Sequence, residues 1–154
     1  MRVSVIGGSS IDERAESTAE AVGREIADRG HTVVCGGLGG TMEAVCRGAR
    51  TADDPGETIG ILPGDRRDAA NPFVTTPIAT GIGHARNALV AMNGDAIVAL
   101  DGGPGTLSEI GMGAVYDRPI AGIGTHEVAW VEAVETPVAA VDLLEKAVGN
   151  SRKA

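Results

Sequence analysis

The sequence predicts an α/β fold, a doubly wound and mostly parallel sheet with helices on both faces. Short apolar runs rich in β-branched residues alternate with longer segments of helical spacing along the 154 residues. This alternation favours right-handed crossovers between parallel strands. Glycine-rich segments follow three of the predicted strands. The run Ala96–Leu100 is almost purely apolar, which is typical of a strand that is covered on both faces.

The first half of the chain alternates between two kinds of hydrophobic spacing. Residues 2–6 are mainly β-branched and stop at Gly7, which predicts a short strand. Across residues 12–29, apolar side chains recur every three or four positions, which predicts an amphipathic helix. A second strand over 32–35 and a second helix over 41–49 flank another glycine run. The next predicted segments are a strand over 58–62, an irregular flap over 63–72 and a strand-like run over 73–79 that Pro77 interrupts.

The second half of the chain repeats the same order around a third glycine loop. In chain order, its predicted elements are a helix over 82–92, a strand over 96–100, the glycine loop 101–106, a helix through 115, a strand over 119–123, an edge strand over 128–134 and a helix through 148. Thr136 and Pro137 form an N-cap and first-position pair for the last helix. We expect one Rossmann-like nucleotide-binding domain over residues 1–149 and a frayed tail over 150–154.

Composition excludes several classes of partner. The net charge is −8 and no block of Lys or Arg occurs, so the chain lacks the electrostatic footprint of a nucleic-acid-binding surface. No signal-peptide pattern precedes the first strand, and no apolar run reaches the ~20 residues of a membrane span. We therefore expect a cytoplasmic protein. Cys35 and Cys46 are the only cysteines; they are predicted to be reduced and buried, and no residues have the spacing of a metal site.

The three glycine clusters all follow strands, so they should gather at one edge of the sheet. In open α/β sheets, ligands bind outside the carboxyl ends of the strands, near the point where the strand order reverses. Glycine lets the backbone approach a ligand closely and turn its N–H groups inward. The residues predicted to bind a phosphate or nucleotide in these clusters are Gly7, Gly8, Ser9, Gly36, Gly37, Gly39, Gly40, Thr41, Gly102, Gly103, Gly105 and Thr106.

The third cluster carries the strongest chemical signal. Its glycines open a helix whose unpaired N–H groups favour an anion such as phosphate. Glu109 lies one helical turn after Thr106, so its side chain can face the same loop. An alternative interpretation makes Thr106 and Glu109 only a capping box. An ordinary turn with a helix cap is likewise an alternative for the first cluster.

Arg86 is the candidate cation of the site. It stands at the start of the predicted helix 82–92, where its charge opposes the helix dipole. The position of Arg86 is therefore not explained by helix stability, whereas a planar guanidinium suits a phosphate or carboxylate. The alternative interpretation is a solvated surface arginine.

Two common nucleotide-binding motifs are absent from the sequence. Neither G-x-x-x-x-G-K-[ST] nor a G-x-G-x-x-G after the first strand occurs, so a P-loop ATPase and a dehydrogenase are disfavoured.

These residues resemble a known family. The run G-G-P-G-T-L-S-E at 102–109 is similar to the G-G-x-G-T-x-x-E motif of the Lonely Guy family, once misannotated as lysine decarboxylases, and Arg86 falls where that family has an arginine. The resemblance is greater to a subgroup of small proteins that are similar to the molybdenum cofactor carrier protein. The runs that carry it are C-G-G-L-G-G-x-M-E-A at 35–44, G-I-L-P-G at 60–64, A-N-P at 70–72 and I-A-T-G-I-G-x-A-R-N at 78–87.

The resemblance implies two functions. Members of the parent family hydrolyse the N-glycosidic bond of cytokinin nucleoside 5′-monophosphates, which would make Arg86 and Glu109 a catalytic pair. This chain departs from the hydrolase pattern with Asn87 in place of a lysine and Ser108 in place of an acidic residue. We therefore predict the binding of a phosphorylated nucleotide-like ligand, a nucleoside monophosphate or a pterin-type cofactor such as the molybdenum cofactor, with Asn87 among the binding residues. The alternative is a nucleoside 5′-monophosphate phosphoribohydrolase.

Three further expectations follow. Lysine decarboxylation is rejected, because it needs a pyridoxal-phosphate lysine and the only lysines, Lys146 and Lys153, lie far from the loops. No cofactor is required for the predicted function, although a nucleotide or the molybdenum cofactor is a candidate bound ligand. By its resemblance, the chain should form a homodimer or higher homo-oligomer through the helices at 82–92 and 107–115.

Overall fold

The computed structural model describes residues 1–151 and contains one seven-stranded sheet with five α-helices in that range. The strands are β1 Arg2–Gly7, β2 Thr32–Cys35, β3 Thr58–Leu62, β4 Thr76–Ala79, β5 Ala96–Leu100, β6 Ile120–Ile123 and β7 Glu132–Ala133. The helices are α1 Glu13–Asp28, α2 Thr41–Arg50, α3 Asn87–Asn93, α4 Pro104–Val115 and α5 Pro137–Ser151, with short 3-10 turns at Arg67–Ala69 and Gly83–Arg86.

All strand pairs are parallel, in the order β4-β3-β2-β1-β5-β6-β7. The first four strands therefore grow outward from β1 in one direction, and the chain then crosses to the other side of β1 to add β5. Val5 of β1 pairs with Val98 of β5, and Ser4 pairs with Val34 of β2. The order reverses between β1 and β5, which creates a crevice at their carboxyl ends.

Helices cover both faces of the sheet, as predicted. One buried cluster joins Val3 and Val5 of β1 to apolar residues of α1, α2 and α5, and a second joins Ile6 to residues of α3 and α4. Successive residues of β1 thus point to opposite layers, as the pleat requires. Ser4, the buried polar side chain of β1, is fully buried and donates from Oγ to the Val90 carbonyl of α3 at 2.6 Å.

The predicted doubly wound sheet is confirmed, while several boundaries differ. The predicted helix over 82–92 begins as a 3-10 turn, and its α-helix starts only at Asn87. The run 73–79 contributes only Thr76–Ala79, an edge strand, where Pro77 costs no ladder bond on its outer side. The predicted edge strand 128–134 shortens to Glu132–Ala133. Asn150 and Ser151, assigned to a frayed tail, continue α5; residues 152–154 lie outside the described range.

The two cysteines are free and buried. Cys35 ends β2 and Cys46 lies in α2, with 3.5 Å between their sulfur atoms. Cys35 also accepts a hydrogen bond from the Gly37 N–H at 3.4 Å, so the pair lies directly beneath the second glycine cluster. Within residues 1–151, none of the helices has the length and apolar character needed to cross a bilayer.

Candidate functional site

A cleft of about 390 Å³ opens at the carboxyl ends of β1 and β5. Five segments meet there: the end of β1 with the loop after it, the start of α2 with the loop before it, the residue after β3, the turn before α3 and the start of α4. The lining residues are Val5, Ile6, Gly7, Gly8, Ser9, Gly36, Leu38, Met42, Pro63, His84, Arg86, Asn87, Gly103, Pro104, Gly105, Thr106 and Glu109. The expected convergence of three glycine clusters is therefore seen in the structure.

The first two clusters pack directly against each other. The Thr41 N–H, at the start of α2, donates to the Gly8 carbonyl at 2.9 Å. A Cβ on Gly7 would lie 2.5 Å from the Leu100 carbonyl oxygen and 2.6 Å from Thr41 Oγ1, so a side chain there would separate β1, β5 and α2. Gly40, with φ of 65°, approaches the same backbone from the other side. These glycines serve close backbone packing at the switch point.

Arg86 is buried in the wall of the cleft, with 7% of its surface exposed. Its Nη1 donates to the Asn87 side-chain oxygen, and its Nη2 donates to the Gly36 carbonyl at 3.2 Å. Its Nε is buried and has no partner among the described residues. Burial lowers the pKa of Arg86, while Glu109 and Cys35 act to raise it. The alternative of a solvated surface arginine is therefore wrong.

Gly36 makes room for that guanidinium. A Cβ at this position would lie 2.5 Å from Arg86 Nη2 and 2.7 Å from Met42 Sδ, both closer than real Cβ contacts allow. The Met42 sulfur itself contacts Nη2 at 4.0 Å. The second glycine cluster thus provides both a carbonyl acceptor for Arg86 and the space that it occupies.

The third cluster forms an open helix N-terminus. Gly102 has φ of 104° and lies against Thr106, whose Oγ1 would be 2.2 Å from a Cβ on Gly102. Gly103 is the N-cap of α4 and supplies no side-chain cap. Thr106 is the third residue of the helix and not its cap, so the capping-box alternative is wrong. Gly103 and Gly105 are exposed, which leaves the first N–H groups of α4 accessible.

Glu109 faces the same cleft from the second turn of α4. It is 7% exposed, and no hydrogen bond reaches its carboxylate from any residue in 1–151. Burial raises the pKa of Glu109 to about 7, and the positive charge of Arg86 only partly opposes this shift. Glu109 and Arg86 interact through space but form no salt bridge. A carboxyl group with a pKa near neutrality can act as a general acid or base.

The two residues that depart from the hydrolase pattern contact each other. Asn87 Nδ2 donates to Ser108 Oγ at 3.2 Å, and Ser108 Oγ donates to the Gly105 carbonyl at 2.6 Å. Asn87 is buried, with 8% of its surface exposed, whereas Ser108 is exposed. Uncharged side chains thus link α3 to the third glycine cluster.

The structure brings most, but not all, of the predicted site residues to the cleft. Gly7, Gly8, Ser9, Gly36, Arg86, Asn87, Gly103, Gly105, Thr106 and Glu109 line it, and their role in binding stays a prediction. Gly37, Gly39, Gly40, Thr41 and Gly102 lie behind it or beside it. Sequence reasoning missed the apolar part of the lining, including Leu38, Met42 and Pro63, because such residues carry no chemical signature of a site.

The loop between β6 and β7, residues 124–131, supports the third cluster from outside. Thr125 Oγ1 donates to the Asp101 carbonyl at 2.8 Å, and His126 Nε2 is 3.1 Å from the Gly103 carbonyl. Asp101 has φ of 44°, an uncommon value for a residue other than glycine. Over residues 1–151, no group of three or more His, Cys, Asp or Glu side chains could hold a metal ion.

Curated relatives match over most of this chain. A protein of Archaeoglobus fulgidus, described as uncharacterized, is 38% identical over 143 residues, which cover 92% of this chain and 93% of the relative. A probable cytokinin riboside 5′-monophosphate phosphoribohydrolase of Oryza sativa subsp. japonica is 34% identical over 114 residues. That match covers 71% of this chain and 46% of the rice protein, so this chain spans less than half of the latter.

Solved structures agree closely with the fold. The molybdenum cofactor binding protein of Rippkaea orientalis superposes with a TM-score of 0.88 at 27% identity, covering 96% of each chain. The molybdenum cofactor carrier protein of Chlamydomonas reinhardtii gives 0.83 at 28% identity, covering 97% of this chain and 98% of that one. The resemblance drawn from the motifs is confirmed. A family model matches residues 1–148, and the chain belongs to the SLOG cluster4 family.

Proposed function

We propose that the cleft binds the phosphate of a nucleotide-like ligand, either a nucleoside monophosphate or a pterin-type cofactor. The observation that carries the proposal is the environment of Arg86. Its buried guanidinium has only uncharged acceptors, the Asn87 amide and the Gly36 carbonyl. Buried charges in proteins are normally paired, so an anionic ligand would supply the missing counter-charge.

The start of α4 supplies the second half of a phosphate site. The N–H groups of Gly105 and Thr106 stand at the positive end of the helix dipole, and Gly103 places no side chain over them. The Gly7–Ser9 backbone forms the opposite wall. A guanidinium and a helix N-terminus that face one cleft form an arrangement that suits a phosphate ester.

The comparisons support a cofactor as the ligand. The Rippkaea orientalis protein is described as binding the molybdenum cofactor, and the Chlamydomonas reinhardtii protein as carrying it. The phosphate of such a pterin would meet Arg86 and the α4 N-terminus, and the apolar side chains of Leu38, Met42 and Pro63 would face its rings. As cargo, the cofactor would pass through this cleft without serving the chain's own chemistry.

Glu109 favours a second candidate function, phosphoribohydrolysis. The rice relative is a probable phosphoribohydrolase, and Glu109 lines the same cleft as Arg86. A carboxylate there would stabilise the oxocarbenium-like sugar as the N-glycosidic bond breaks, and it would orient the water that adds to the sugar. The products would be a free base and ribose 5-phosphate.

Calorimetric titration with adenosine 5′-monophosphate tests the binding proposal. Arg86→Gln should weaken binding by roughly a hundredfold, because it removes the charge that pairs with the phosphate. Arg118→Gln is the matched control: Arg118 donates to the Met92 carbonyl and also has a buried unpaired Nε, but it does not line the cleft. Equal affinity of the Arg86 variant and the wild type would refute the proposed phosphate site.

Chromatography of nucleoside 5′-monophosphates after incubation separates the two candidates. Release of free base that disappears in Glu109→Gln would establish the hydrolase. Ligand binding without base release would leave a binding or carrier function and would reject the second candidate.

A further inference from the structure

Arg86 is held differently from Arg29 and Arg47, two arginines that form ion pairs elsewhere in the fold. Arg29 and Arg47 each bind carboxylates of neighbouring helices, including Glu145 of α5 at 2.9 Å from Arg29 and Glu20 of α1 at 3.1 Å from Arg47. Those guanidinium groups are neutralised within the protein. Arg86 has no carboxylate within salt-bridge distance among residues 1–151, although it is the most deeply buried of the three.

The directions of the hydrogen bonds around Arg86 are fixed by chemistry. Arginine has donors only, so the Asn87 atom that faces Nη1 must be the oxygen Oδ1. The other amide atom, Nδ2, then has to donate, and Ser108 Oγ accepts from it. Ser108 donates its single hydroxyl proton to the Gly105 carbonyl. The chain of bonds therefore runs from Arg86 through Asn87 and Ser108 to the backbone of the third glycine cluster without a choice of orientation.

We infer that Asn87 is a positioning residue, which fixes the Arg86 guanidinium against the third glycine cluster while leaving its positive charge available to the ligand. This inference rests on the proposed phosphate site. An aspartate would accept the same bond from Arg86 but would cancel its charge. An alanine would leave the charge but free the guanidinium. The neutral amide does neither, and this makes the cleft selective for an anion.

The isosteric variant Asn87→Asp separates the effect of charge on ligand affinity from any effect on the stability of the fold. A carboxylate next to Arg86 forms a salt bridge, and an acidic residue suits the first position of α3. The melting temperature should therefore be kept or raised. The affinity for adenosine 5′-monophosphate and for inorganic phosphate should fall at least tenfold, because the new carboxylate neutralises Arg86 and repels the anion. Its dependence on salt concentration should also flatten, since less charge remains to be screened.

Two further variants complete the test. Ser108→Ala breaks the link to Gly105 and leaves the Arg86 charge intact, so affinity should fall about threefold with an unchanged salt dependence. Asn93→Asp is the matched control, because Asn93 ends the same helix, is exposed and bonds only to the Leu89 carbonyl. It adds the same charge outside the cleft and should bind like the wild type.

The outcomes of these titrations are distinct. A wild type that binds neither probe would refute the proposed function itself. If the wild type binds and Asn87→Asp binds equally well, the positioning role is wrong. A loss of affinity in Asn87→Asp that comes with a lower melting temperature and an unchanged salt dependence would show a structural role only. If Asn87→Asp does not fold, the affinity of Ser108→Ala tests the inference instead. An affinity of Ser108→Ala equal to that of the wild type would overturn the inference.

Discussion

At the scale of single residues, Arg86 and Glu109 share a cleft without sharing an ion pair. The motif placed both in the site, and the burial of Arg86 follows from the small glycines around it. The link between Asn87 and Ser108 was not predictable, because the two residues lie 21 positions apart and only the packing of α3 on α4 brings them together. The raised pKa of Glu109 likewise depends on burial, which the sequence does not reveal at a charged position.

Glu109 should make the protein less stable as pH rises. Its pKa of about 7 in the folded state lies above its usual value, so the folded protein holds a proton that the unfolded chain has released. The stability present below about pH 4 is therefore lost as pH rises through about 7, by about 3 kcal/mol. Urea unfolding of the wild type and Glu109→Gln at about pH 5 and about pH 8 measures this loss. His84 also lines the cleft but is present in both proteins, and a loss of equal size in the variant would contradict the assignment.

Gly36→Ala should damage the site more than the fold. The new methyl group would displace Arg86 and Met42, which lie within 2.7 Å of its position. We expect a loss of about 1–3 kcal/mol in unfolding free energy and a tenfold or greater loss of phosphate affinity. Gly64→Ala is the control, because nothing lies within 4 Å of a Cβ there and Gly64 does not line the cleft. Unchanged affinity in Gly36→Ala would mean that the position of Arg86 is not critical.

At the scale of elements, the start of α4 lacks a side-chain cap, which lowers the stability of the helix but leaves its first N–H groups accessible to a ligand. Gly103 is an N-cap with an extended backbone and open space around its missing side chain. Serine or aspartate would cap the helix there and stabilise the protein by roughly a few tenths of a kcal/mol. The helices 41–49 and 136–148 were predicted within a few residues, whereas α3 was not, since its first turn is a 3-10 turn shaped by the loop before it.

Gly103→Asp should raise the melting temperature and remove phosphate binding together. Its carboxylate would bond to the free N–H groups of α4 and occupy the position of the ligand's anion. Gly103→Ser provides the uncharged comparison, with a similar gain in stability and a smaller loss of affinity. Differential scanning calorimetry and titration of the same preparations measure both effects. Wild-type phosphate affinity in Gly103→Asp would exclude the α4 N-terminus as the binding point.

At the scale of the whole molecule, the doubly wound sheet was predictable because each strand and helix carries its own hydrophobic period. The order of the edge strands was not, because nothing in the local sequence states which neighbour β4 or β7 joins. The position of the cleft follows from the reversal between β1 and β5. The family's fold therefore places the glycine clusters together before any side chain takes part.

The outer surface of α3 and α4 supports the expectation of a homo-oligomer. Met92, Leu107 and Val115 are 42%, 42% and 70% exposed, respectively, on these two packed helices. Light scattering should give at least twice the mass of one chain, and Leu107→Asp with Val115→Asp should reduce it to one chain with the fold retained. Val138→Asp, a similarly exposed position on α5, controls for added charge. A monomeric wild type would refute this proposal.

The loop between β6 and β7 gives the protein an optical reporter. It contains Trp130, the only tryptophan in the sequence, whose ring is largely exposed to water. The same loop bonds through Thr125 and His126 to the backbone of Asp101 and Gly103. Because this loop bonds to the third glycine cluster, we expect a phosphate bound at that cluster to change the environment of the indole. Intrinsic fluorescence of the unlabelled protein should therefore change when the proposed ligand binds.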